Sequence, residues 1–62
     1  MLRAIFDQIA LGRTVCIAPV SGFPDLISIA ISISNTVVEE TICDSSELAI
    51  RNCIRRLAVQ LG

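Results

Sequence analysis

A chain of 62 residues with 53% apolar content, 3% aromatic content and a net charge of −1 forms at most one domain. It buries only about 60% of the surface its unfolded form exposes, so an apolar surplus on so small a chain points to an interface. The absence of His, Lys, Tyr and Trp leaves Cys16 or Ser21 without an evident activating base, and a sequence pI of ≈ 5.0 argues against general nucleic-acid binding.

Leu2, Ile5, Phe6 and Ile9 fall at i, i+3, i+4 and i+7, the stripe of a short amphipathic helix over residues 2–11. Arg3, Asp7 and Gln8 occupy its other faces. Gly12 suits the position just past the helix, where a left-handed backbone is needed. Asp7 within the apolar stretch, and the lack of a cleavage pattern, argue against a secretory leader.

Next, "RTVCIAPV" predicts a strand over residues 13–18, with Val15 and Ile17 on one face and Thr14, Cys16 and Ala18 on the other. Pro19 stops it, and Pro19, Gly22, Pro24 and Asp25 make residues 19–25 a loop. Phe23 in that loop has two readings: a plug closing one end of the core, or an exposed anchor for a partner on a proline-stiffened turn.

Residues 27–34 read "ISIAISIS", isoleucine at every odd position and serine or alanine at every even one. This alternation predicts a strand over residues 26–34, with the isoleucines facing a core. Its uncharged surroundings, residues 26–38, alternate and carry Ser, Asn and Thr, so they do not form the run of about 20 apolar residues a membrane helix needs. A two-residue tip at Asn35-Thr36 leads to a third strand over residues 37–43. In that register Ile33, Ile31 and Ile29 oppose Val38, Glu40 and Ile42, while Ser34, Ser32, Ala30 and Ser28 oppose Val37, Glu39, Thr41 and Cys43.

"DSSE" then predicts a capping box, with Asp44 as N-cap and Glu47 reaching back from N3. Ile50, Cys53, Ile54, Leu57, Ala58 and Leu61 make the buried stripe of a C-terminal helix. Glu47, Arg51 and Arg55 stand at i, i+4 spacing, a favourable ladder.

The expected fold is a single α+β domain over residues 1–62, ordered α-β-β-β-α, with both helices on one face of a three-stranded antiparallel sheet. The opposite face is then uncovered. Ser28, Ala30, Ser32, Val37 and Thr41 lie on it, and their mostly small side chains suit close approach by a second copy of the chain.

Charged residues and cysteines offer fewer possibilities. Glu39 and Glu40 put one carboxylate on each sheet face; they are solvated, or one of them hydrogen-bonds a ligand or pairs with an arginine of a neighbouring subunit. Arg51, Arg55 and Arg56 either complement the helix dipole or form a site for an anion or acidic partner, which Arg3 and Arg13 join only if the first helix ends nearby. An odd count of three cysteines, with no paired spacing, predicts reduced, mostly buried thiols in a cytoplasmic protein without metal or cofactor.

The stretch "TICDSSELAIRNCIRR" resembles the strand-to-helix junction of HicB-type antitoxins, whose β-β-β-α module carries an Asp-[Ser/Thr]-x-Glu-x-Ala-x-x-Asn run. Asp44, Ser45, Glu47, Ala49 and Asn52 stand at those positions. Cys43 replaces the usual glycine, and the N-terminal helix is additional to the module. The resemblance implies a small sheet-plus-helix protein that oligomerises and occludes a partner.

The expected function is therefore a non-catalytic regulatory or inhibitory binding module working as a homo-oligomer, of antitoxin or phage anti-defence type. One alternative is an oligomeric sponge holding a small anionic ligand or nucleotide between subunits; another is a structural assembly subunit.

Overall fold

The computed structural model describes residues 2–62. The chain runs α1 (Arg3–Ala10), β1 (Thr14–Val20), β2 (Phe23–Ile33), β3 (Thr36–Ile42) and α2 (Glu47–Leu61), the order read from the sequence. The strands form an antiparallel sheet of order β1-β2-β3, so the isoleucine-rich strand is central. A shortest dimension of 17 Å leaves room for one layer of helices on the sheet, since packed layers stand about 10 Å apart.

The pairing register arranges the sheet in rows. On one face lie Val15–Ile31–Val38, Ile17–Ile29–Glu40 and Pro19–Ile27–Ile42. Ile29 and Ile31 are fully buried there beneath Cys53, Ile54 and Leu57 of α2. Ala4 and Ile5 of α1, with Val15, Ile27, Val38, Ile42, Ile50 and Leu61, close around that centre. α2 covers β2 and β3, while α1 packs on β1 and against α2. The other face carries the rows Thr14–Ser32–Val37, Cys16–Ala30–Glu39 and Ala18–Ser28–Thr41, and none of these residues is buried.

The β2–β3 register differs by two residues from the sequence expectation. Ile33 pairs with Thr36, so the tip is Ser34-Asn35 rather than Asn35-Thr36. Ser34 takes the positive φ of 53°, whereas β-branched Thr36 resists such a backbone and joins the strand. Because side chains alternate with period two, a slip of two leaves every residue on its expected face. Ile29 thus meets Glu40, and Ala30 meets Glu39.

Residues 19–25 are not a loop. β1 extends through Pro19 to Val20, an extension open to proline because β1 is an edge strand. β2 begins at Phe23 after a two-residue turn in which Gly22 has φ +81°. The register breaks between Pro19 and Val20, and the irregularity carries Pro24, Asp25 and Leu26 out of the regular ladder with β1.

Helix ends follow hydrogen-bond supply. α1 stops in a Schellman motif: the Gly12 N–H donates to the Ile9 carbonyl at 2.9 Å and the Arg13 N–H to the Gln8 carbonyl at 3.1 Å. Gly12 adopts φ +82°, as its position past the helix requires. At α2 the cap is Ser46, not Asp44. The Ser46 hydroxyl accepts from the Ala49 N–H at 3.2 Å, and the Asp44 carboxylate accepts from the Ser46 N–H at 2.9 Å. Asp44 therefore forms a turn leading into the helix, which moves Glu47 to its first residue, where an acidic side chain suits the dipole.

Candidate functional site

Two surfaces hold the candidate residues, one on each layer. On the outer sheet face Ser28, Ala30, Ser32, Val37 and Thr41 lie together as the alternation predicts. Ala30 sits at the centre, flanked by Cys16 on β1 and Glu39 on β3. Val37 is 62% exposed at one corner. Glu39 therefore belongs to this face, not with the arginines.

On the helical layer a groove of about 540 Å³ opens between α1 and α2. Arg3 borders it from α1; Arg51 and Arg55, one turn apart, border it from α2. Ala4, Ile54 and Ala58 supply apolar lining, and Asp7 is the one carboxylate. Arg3 thus joins Arg51 and Arg55, although it stands at the start of its helix. Arg13 does not: its guanidinium donates to the Gln8 side-chain carbonyl, next to the backbone bond that ends α1.

Arg56 also leaves the cluster. Its Nη2 reaches Glu40 Oε1 at 2.7 Å and its Nε reaches Oε2 at 3.2 Å, a two-pronged contact across the α2–β3 interface. Glu40 is therefore neither simply solvated nor reserved for a neighbouring subunit. The hydrogen bond from Arg56, reinforced by its charge, holds the Glu40 carboxyl below the usual carboxylate range against a smaller opposing push from burial. The Cys53 thiol beside this pair is pushed up, by burial first and by the Glu40 charge second. A thiol kept protonated in this way is a poor nucleophile.

The Glu47–Arg51–Arg55 ladder does not form: among the described residues Arg56–Glu40 is the only ion pair. Long side chains in water lose entropy when held in one geometry, and little attraction offsets that loss. Phe23 is 59% exposed at the tip of the first hairpin, which excludes the plug. Of the cysteines only Cys53 is buried; Cys16 is exposed on the outer sheet face opposite Ala30, and Cys43 is exposed just past the end of β3.

Sequence reasoning missed Asp7 and the floor of the groove. The spacing of Arg51 and Arg55 was a signal for a shared helix face, but which face of α1 lies opposite is decided only by tertiary packing. No family model, no curated protein and no solved structure matches the chain. No helix of the described residues is long and apolar enough to cross a membrane.

Proposed function

We propose that the chain is a small non-catalytic binding protein that works as a homo-oligomer through its outer sheet face and acts by occluding a partner protein, as antitoxins and phage anti-defence proteins do. The observation that carries this reading is the uncovered face centred on Ala30: three rows of mostly small side chains with no element packed over them. A second copy covers such a face on both chains at once, because a twofold contact is self-complementary. Among the described residues nine large hydrophobics are 38–81% exposed, and Val37 is the one of them on this face, so the surplus apolar surface does not single it out.

The sponge reading has less support. Arg51 and Arg55 stand on the helical layer and the hydroxyl-bearing face on the opposite side of the sheet, so one ligand does not touch both within a chain. Light scattering tests the proposal. The wild type should be a dimer or larger, Ala30→Arg should shift it toward monomer, and Asp25→Arg at the exposed hairpin should leave it unchanged. A wild type that stays monomeric at high micromolar concentration overturns the self-interface.

A further inference from the structure

The chain has five basic residues, all arginine. Arg56 is paired with Glu40, and Arg13 is engaged by Gln8. The remaining three, Arg3, Arg51 and Arg55, have no ion partner among the described residues, and all three border the groove between α1 and α2. Against them stands one carboxylate, Asp7. Positive charge is thus gathered at one place on a chain whose net charge is −1.

We propose that this groove docks an acidic, amphipathic helical segment of a partner protein. Its floor is low: Ala4 and Ala58 lie over the fully buried Ile54, with the largely buried Gln8 beside them, so a second helix can approach closely. Val59 at the rim is 81% exposed, a large aliphatic side chain ready to meet the partner's apolar stripe. Arg51 and Arg55, one turn apart on α2, match glutamates at i, i+4 on such a helix, and the guanidinium fork suits each carboxylate. A nucleotide fits less well: neither Phe6 nor Phe23 lines the groove, so no aromatic ring is there to stack on a base.

This rests on the reading of the chain as a binding protein but not on its sheet-face self-interface, which lies on the opposite layer. The probe is a fluorescein-labelled peptide of about 14 residues, four helical turns, with leucines on one face and glutamates flanking them. Its companion has glutamine in place of every glutamate. Anisotropy should show saturable binding of the acidic peptide that weakens with salt, and the glutamine version should bind about tenfold more weakly, as expected for loss of two or three exposed charge contacts.

Arg51→Gln with Arg55→Gln should weaken binding by a similar factor, and Val59→Asp should abolish it with every arginine in place. Arg56→Gln, set against Arg51→Gln alone, removes the same single charge from the same helix outside the groove and should change affinity less than about twofold. Absence of saturable binding overturns the proposal, as does equal weakening by Arg56→Gln, which would show mere charge attraction. Saturable binding of inorganic pyrophosphate, with the same arginine dependence but no peptide binding, also overturns it in favour of a small-anion site. A dimer that binds no peptide sinks the groove alone, and a monomer that binds it sinks only the sheet interface.

Discussion

α2 buries Cys53, Ile54 and Leu57 completely, whereas α1 leaves Phe6 51% and Ile9 53% exposed and buries only Gln8 to a comparable degree. Both helices carry apolar residues at helical spacing, but α1 turns Ala4, Ile5 and Gln8 inward and leaves Phe6 and Ile9 of its expected stripe outside. The difference therefore lies in the face presented as well as in what each helix has beneath it. α2 spans 15 residues, is capped by Ser46 and crosses the two strands β2 and β3. α1 spans eight, has no side-chain cap and reaches only the edge strand β1 and the flank of α2. An amphipathic stripe specifies a helix with one apolar face. How much of that face is buried depends on the width of the surface it meets, and at a sheet edge the surface runs out.

The strongest way to break this comparison is to cut one residue from each helix. Ile54→Ala should cost about 2–5 kcal/mol, since it opens a cavity at the centre of the core. That is a large part of the roughly 3–9 kcal/mol available to a domain of this length, so the variant should be partly unfolded without denaturant. Phe6→Ser, on a side chain already half in water, should cost no more than about 1 kcal/mol in chemical denaturation. Equal losses would mean that α1 contributes as much to the core as α2.

A smaller effect tests why α2 is the firmer helix. Ser46→Ala removes the hydroxyl that accepts the Ala49 N–H and should cost about 1 kcal/mol. Asp44→Ala should cost less, because the carboxylate accepts from the Ser46 N–H just outside the helix. The reverse ranking, measured by thermal or urea unfolding, would restore Asp44 as the true cap.

The sequence made one-dimensional patterns legible and left two-chain-segment meetings hidden. The alternation in "ISIAISIS" predicted the buried face of β2, and that prediction survived an error of two residues in the register because parity, not pairing, fixes the face. The stripe of α2 and the role of Gly12 were equally local. The cap moved from Asp44 to Ser46 because both residues have suitable oxygens, and only the route of the chain out of β3 chooses between them. Glu40–Arg56 spans 16 positions, and Arg3 meets Arg51 only where α1 lies beside α2. No spacing rule in the sequence reaches across such gaps.

The smallest expected effect concerns that cross-element pair, which ties α2 to β3 and has no counterpart on α1. Arg56 holds the folded-state pKa of Glu40 below its ordinary value of 4.5. A carboxylate with a lowered folded pKa stabilises the fold above its unfolded pKa and loses that contribution as pH falls through the folded value. Glu40→Gln should therefore be less stable than the wild type at neutral pH, and the gap should close on acidification below about 4.5. Arg56 is 52% exposed and Glu40 32%, so the gap should be small and should shrink further in high salt. A gap that is unchanged between neutral pH and pH about 3 would mean that the glutamine variant is weakened by lost packing beside Ile29, and that charge at this position contributes nothing to holding α2 on the sheet.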